Sequence, residues 1–472
     1  MSTNGSELLP LASARGRWVL TVTVLGSAIV LLETTVINVA LPAIGRDLDA
    51  DLAELQWVVS GYLLTLASLI LLGGALGDRF GRRRIFELGV VWFTVASLAC
   101  AVSPNVEVLI AARLVQGVGG ALLTPGSLAI IESTFRQEDR ARAIGSWSAL
   151  GGIAAAVGPL LGGWLVDAVS WRAIFLLNLP IGVVVVWASR RHVPETRDRE
   201  QSGRLDFPGA TLVTGGLAGL TFALIQASER GAASPEVIAV AVTAVLALAL
   251  FVFVERRSAN PMLPLEIFRS RPFTGANLVT FAVYAALGGV SFLLAVFLQV
   301  SLGYSAVQAG AATLPVTLLM LALASRMGAL AQRIGPRIPL TVGPLLLAAG
   351  TVLLSRIDIG DRYVTSVLPG VVVFGLGLAS VVAPVTATVL AAAPERHAGI
   401  ASGVSNAVAR TAALLAVAAL PLIAGLSSSD YQDPAALAEG FETAMVVMAA
   451  LAASGGVLAF LTIRENVLRE SP

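Results

Sequence analysis

The sequence predicts an all-α membrane protein of fourteen transmembrane helices, arranged as two parallel six-helix repeats with a two-helix insertion between them. Three observations predict this. Of 472 residues, 56% are hydrophobic and 13% charged, with a mean hydropathy of +0.83; soluble domains carry about twice that charge fraction. Apolar stretches near the ~20 residues that a bilayer requires recur along the whole chain. A ten-residue motif occurs twice, 254 residues apart.

The first six stretches are 18–44, 55–76, 85–102, 108–131, 144–166 and 173–187. A pair follows at 209–227 and 237–254, between polar linkers at 190–207 and 255–272. The last six are 278–300, 309–324, 338–354, 368–390, 400–423 and 444–461; Arg326 cuts the tenth short. The N-terminus lacks a basic start leading into a short apolar run and a cleavage site, so the first helix is expected to remain as an anchor. The expected divisions are 1–190, 191–272 and 273–472.

Arginine placement sets the expected orientation. With the N- and C-termini in the cytoplasm, inner loops and tails hold 24 Arg and outer loops hold five: Arg46, Arg172, Arg230, Arg356 and Arg362. Arg204 and Arg257 then face inward. Trp18, Trp57, Trp147, Trp164, Trp171 and Trp187 fall near span ends, where interface anchors are expected.

The motif GALGDRFGRR at 74–83 follows the second stretch, and GALAQRIGPR at 328–337 follows the tenth; six of ten positions are identical. Both copies fall on the same side, which makes the halves parallel repeats. Such repeats usually belong to a transporter with its site between the halves.

Several chemistries are excluded. All 31 basic residues are Arg, so Schiff-base chemistry and the lysine of a nucleotide phosphate loop are absent. Cys100 is the one cysteine, so no intrachain disulfide or cysteine-based metal site forms. The two histidines, His192 and His397, fall in polar loops. A net charge of +1 gives no reason to expect nucleic acid. No cofactor and no metal are expected. A membrane enzyme would require a second carboxylate, a histidine pair or a Ser/Lys dyad within the spans, and the sequence supplies none.

Four segments carry the chemistry. The first, 32–42 (LETTVINVALP), holds Glu33, the one carboxylate well inside a span. A lone carboxyl in hydrocarbon favours its neutral form, which suits a proton carrier; a permanently paired charge that ties helices together is the alternative. The second, 109–120 (LIAARLVQGVGG), holds Arg113. Counted at 1.5 Å per residue, Glu33 and Arg113 lie ~13 Å and ~8 Å from the outer ends of their helices, a similar depth. The alternative for Arg113 is that it snorkels to the interface. The third is 74–83 with Gly74, Asp78, Arg79, Gly81 and Arg82, whose glycines allow a tight turn. The fourth, 151–163 (GGIAAAVGPLLGG), holds Gly151, Gly158, Pro159, Gly162 and Gly163: a small-residue face for close packing and a kink.

With these segments at matching positions over nearly the whole chain, the sequence resembles the major facilitator superfamily, and more narrowly its fourteen-helix drug/proton antiporters. The resemblance implies that helices one and four are neighbours lining a cavity, and that Glu33, where the family usually has Asp, couples protons with Arg113. It implies that Asp78 contacts a helix of the other half as a conformational latch; the second copy has Gln332 there, so the latch is expected to be stronger on the first. It implies that the fourth segment marks exporters. The segments 171–182 and 261–273 also look like this branch. Candidate cavity residues are Asn38, Tyr62, Gln116, Tyr284, Gln299 and Arg410, with ordinary helix packing as the alternative for each.

The expected function is proton-coupled export of lipophilic drugs or antibiotics across the bacterial cytoplasmic membrane by a monomer. Export of one defined metabolite on the same scaffold is the alternative.

Overall fold

The computed structural model describes residues 8–197, 205–258, 260–393, 398–427, 430 and 433–468. His397 and Arg204 lie outside the described residues. Fourteen helices long and apolar enough to cross a membrane are present among them. In chain order the first six are α1 (Ala14–Leu48), α2 (Leu52–Phe80), α3 (Arg82–Ala101), α4 (Val106–Thr134), α5 (Gln137–Ala168) and α6 (Arg172–His192). The inserted pair is α7 (Phe207–Arg230) and α8 (Pro235–Arg257). The last six are α9 (Arg271–Val300), α10 (Ala306–Ile334), α11 (Arg337–Leu354), α12 (Tyr363–Ala391), α13 (Ala398–Ala424) and α14 (Pro434–Thr462).

The helices outrun the apolar stretches because backbone hydrogen bonding continues into the interfacial layers, where polar side chains are tolerated. The tenth stretch shows this best. Arg326 does not end it: α10 runs on to Ile334 and stops only at Gly335, whose φ is +90°. Two helices are interrupted instead. Helix α6 breaks at Leu177, and α10 at Thr313, just ahead of Pro315. Capping boxes start α2 (Asp51 with Glu54) and α10 (Ser305 with Gln308).

The packing repeats in register. Helix α1 packs on α4, α5 and α6, α2 on α4, and α3 on α4 and α6. In the last six, α9 packs on α12, α13 and α14, α10 on α12, and α11 on α12 and α14. The α7–α8 hairpin attaches through α7 to α2 and α13, at the seam between the two sets. The outer helix of the hairpin, α8, leaves Ile238, Val242, Val245, Leu246 and Phe253 exposed, as suits a face toward lipid. Of the tryptophans expected at the interface, Trp18, Trp164 and Trp187 are exposed. Trp147 and Trp171 are packing residues instead: their indole N–H groups donate to Ser27 and Asp47 of α1.

The two sets are joined at the end of the bundle that carries the α1–α2 turn. There Gln56 Nε2 donates to the Val417 carbonyl at 2.7 Å. Gln299 Nε2 donates to the Val39 carbonyl at 3.0 Å. Asp167 of α5 accepts from the first amides of α10, Ala306 at 3.2 Å and Val307 at 2.9 Å. Toward the arginine-rich end, much of 145–153 in α5 and of 321–334 in α10 is exposed. The sets are thus latched at one end and less covered at the other.

Candidate functional site: a buried charge pair among five helices

Glu33 lies 19 residues from the start of α1 and 15 from its end, or ~28 Å and ~22 Å at the helical rise. Its side chain is almost wholly enclosed, and Arg113 is fully buried. Arg113 Nη1 donates to Glu33 Oε1 at 2.5 Å and to Gln116 Oε1 at 2.6 Å. Arg113 Nε donates to the Val58 carbonyl of α2 at 2.9 Å. Asn178 Nδ2 donates to the other carboxylate oxygen, Glu33 Oε2, at 2.9 Å. Ser97 of α3 accepts from Gln116 Nε2 and from Asn178 Nδ2. The guanidinium lies 4.5 Å from the Tyr62 ring centre and 5.8 Å from that of Phe175.

Residues from α1, α2, α3, α4 and α6 therefore meet in one polar cluster surrounded by apolar side chains. Each charge is costly in such surroundings, and each offsets part of the other's cost. Arg113 does not snorkel: its guanidinium is spent on Glu33, Gln116 and a backbone carbonyl. The break in α6 at Leu177 places Asn178 at the start of a new helical segment, where its amide reaches Glu33. Ser97 and Asn178 were not expected. Their sequence signal is a single polar residue inside an otherwise apolar span, as for Gln116.

The other expected residues separate into groups. Gln116 and Tyr62 belong to the charge-pair cluster. Gln116 is not a free cavity amide, because both ends of its amide are already bonded. Gln299 likewise differs from expectation: it ties α9 to α1 at the joined end. Asn38 is half-buried, and its Oδ1 has no donor. Tyr284 and Arg410 are half-buried near the middle of α9 and α13.

The turn after α2 is far from this cluster. Asp78 pairs with Arg82 within its own motif at 2.8 Å, and among the described residues no ion pair joins it to a helix of the other set. Gly81 adopts φ +113°, and a Cβ there would meet Glu195 Oε1 at 2.6 Å. Glu195 accepts from the Arg83 and Arg84 amides, so it caps the start of α3 from the chain following α6. Gly74 lies against Pro125 of α4, and Arg79 is exposed beside Phe80.

The small residues of α5 mark two close approaches. Cβ atoms on Gly158 and Gly162 would fall 2.3 Å from Thr35 Oγ1 and 2.5 Å from Val36 Cγ1 of α1, while Gly151 is looser, 3.2 Å from Leu31. On the opposite side a Cβ on Gly163 would lie 2.4 Å from the Ala306 carbonyl, and one on Gly310 would lie 2.1 Å from the Pro159 carbonyl. Helix α5 thus packs without side chains against α1 of its own set and against α10 of the other.

Two sets of six membrane helices, one of which encloses a buried charge pair, define a membrane transporter. A family model described as the Major Facilitator Superfamily matches residues 23–418. The chain belongs to that superfamily. It is 37% identical over 414 residues to a methylenomycin A resistance protein of Streptomyces coelicolor, covering 87% of this chain and 86% of the relative. It is 35% identical over 424 residues to a tetracenomycin C resistance and export protein of Streptomyces glaucescens, covering 89% and 78%. It is 36% identical over 466 residues to a puromycin resistance protein of Streptomyces alboniger, covering 96% and 91%. Among solved structures, a peptide transporter in complex with sulfate matches with a TM-score of 0.69 at 16% identity, over 97% of this chain and 98% of that one. That likeness concerns the fold alone.

Proposed function

We propose that the protein exports lipophilic, antibiotic-like molecules across the bacterial cytoplasmic membrane in exchange for protons. The observation that carries this reading is the Glu33–Arg113 pair, enclosed at mid-helix by five helices of one set. An ionisable pair at that depth is costly, and such pairs mark ion or proton pathways. The names of the relatives support export of antibiotics over uptake.

Glu33 takes up a proton when its side of the bundle opens outward, and substrate leaves. The proton passes inward when the sets rock the other way and substrate binds again. Arg113, Gln116 and Asn178 hold the carboxylate and set the balance between its two forms. The termini and the arginine-rich turns face the cytoplasm, so the joined α1–α2 end is external and the structure is open toward the inside. The units that rock are 1–190 and 273–472, with 191–272 as connection, and the protein works as a monomer. The 74–83 motif steadies one of the two access states.

The test uses a host lacking its own efflux pumps and everted membrane vesicles with an imposed pH gradient. Expression should raise resistance to a subset of an antibiotic panel, and an uncoupler should abolish vesicle uptake. Glu33→Gln should insert normally and lose gradient-driven uptake. Wild-type rates from the Gln variant would falsify the proton role.

A further inference from the structure

We propose that Arg410, with the hydroxyls of Tyr62 and Tyr284, forms a receptor for a single anionic group, so that the transported molecules are lipophilic acids. This deepens the export reading and rests on it.

Arg410 lies 12 residues from the start of α13 and 14 from its end, ~18 Å and ~21 Å along the helix. It is therefore at mid-membrane, at the depth of Glu33 and of Tyr284, which stands 13 residues from the start of α9 and 16 from its end. An arginine at that depth is tolerated only when it pairs or faces a polar cavity. Arg113 is paired with Glu33, and its Nε and Nη1 donate to a carbonyl, to Glu33 and to Gln116. Arg410 has no ion pair and no hydrogen bond with any described residue. Arg326, also without an ion pair among the described residues, stands eight residues from the end of α10 and is exposed.

The surroundings of Arg410 come from both repeats. Helix α13 packs on α9 of its own set and on α2 of the other, so Arg410 lies at the seam where the sets meet. Tyr62 of α2 and Tyr284 of α9 stand near mid-helix on the two helices that α13 packs against. Tyr62 is 1% exposed, yet its hydroxyl has no hydrogen-bond partner. A buried hydroxyl without a partner is uncommon in native proteins and points to something absent from the site. A guanidinium fork with phenolic donors on the two neighbouring helices matches a carboxylate or phenolate, and a neutral or cationic group leaves the fork unmatched.

The charge balance agrees. Glu33 and Arg113 cancel, so the mid-membrane region carries one net positive charge, that of Arg410. An incoming anion neutralises it, and a cation does not. Tyr62 also joins the two sites: its ring lies against Arg113, and its helix packs on the helix that carries Arg410. Binding of an anion is therefore felt next to the proton site.

The experiment compares 1-naphthoate, 1-naphthamide and 1-naphthylmethylammonium, which share a ring and differ in charge. Equilibrium binding to the purified protein tests the inference; gradient-driven uptake by everted vesicles tests the export reading. Naphthoate should bind at least about tenfold more tightly than the amide or the ammonium, the size of one hydrogen-bonded charge contact. Arg410→Gln should bring carboxylate and amide within about twofold, while Arg410→Lys keeps part of the preference. Tyr62→Phe and Tyr284→Phe should each weaken naphthoate binding several-fold, which preserves the test if the Gln variant fails to fold. Equal binding of the three probes, no naphthoate binding, or a preference that survives in Arg410→Gln overturns the inference. Carboxylate-selective binding without uptake of any probe or antibiotic retains the inference and removes the export reading.

Discussion

Asn178 Nδ2 lies 2.9 Å from Glu33 Oε2, although 145 residues separate the two along the chain. Arg113 holds one oxygen of the carboxylate and Asn178 holds the other. Removing the amide leaves a carboxylate oxygen without its donor in a site where no water replaces it readily. Asn178→Ala should therefore lower the initial rate of gradient-driven uptake by about tenfold, the size of one hydrogen bond to a charged group. Asn178→Asp places a second acid against Glu33 and should do more damage. An Ala variant with wild-type kinetics would show that the contact has no part in coupling.

The Glu33–Arg113 pair also carries a stability prediction. Breaking a buried pair by removing one partner leaves an uncompensated charge, at a cost of about 3–5 kcal/mol, whereas neutralising both partners costs much less. Arg113→Gln alone should markedly lower the melting temperature in detergent, and adding Glu33→Gln to it should recover much of the loss. A double variant whose loss equals the sum of the single losses means the two residues are energetically independent.

Helices α5 and α10 meet through Gly163 and Gly310, each within 2.4 Å of a facing carbonyl once a Cβ is added. Neither carbonyl is a flexible side-chain end, so the helices have to separate. Gly163→Val and Gly310→Val should hold the α1–α2 end open. Spin labels placed near Asp167 and Val307 should report a longer distance in either variant. An unchanged distance distribution would mean that close approach of these helices is not needed for that end to close.

The two copies of the repeated motif differ at Asp78 and Gln332. Asp78 bridges to Arg82, whereas Gln332 is exposed. Asp78→Asn should slow transport several-fold with little change in substrate affinity, because the residue stands far from the centre of the bundle. Gln332→Ala should transport normally. Equal losses at both positions contradict the asymmetry.

At the base of the inserted hairpin, Asp206 caps α7 through the Gly209 amide and Glu255 accepts from the Leu263 amide. Asp206 Oδ2 and Glu255 Oε1 face the same small space beside Gly209, and neither finds a donor. Glu255→Gln supplies one N–H to Asp206 and keeps an acceptor for Leu263. The variant should melt at a higher temperature than wild type near neutral pH; a lower melting temperature would mean that the two carboxyls are not in conflict.

The sequence alone determined the helix count and the insertion between two repeats, and it singled out Glu33 and Arg113, which the structure buries against each other. Hydrocarbon solvent explains why. A bilayer demands long apolar runs, and it makes every intramembrane charge costly enough to stand out, so Glu33 and Arg113 are legible one residue at a time. Their similar depth follows from counting along a helix of fixed rise. Only the tertiary structure decided how the remaining polar groups are used. Ser97, Gln116 and Asn178 look alike in the sequence, as single polar residues in apolar spans, and only the meeting of α1, α3, α4 and α6 joins them in one hydrogen-bonded network around the Glu33–Arg113 pair. Gln299 reads as a cavity amide and proves to tie α9 to α1; Asp78 reads as a contact across the seam and pairs with Arg82. Hydrogen bonds are short-ranged and directional, and their partners are chosen by packing between segments as far as 362 residues apart, as for Gln56 and Ala418. No local pattern in the chain encodes that choice.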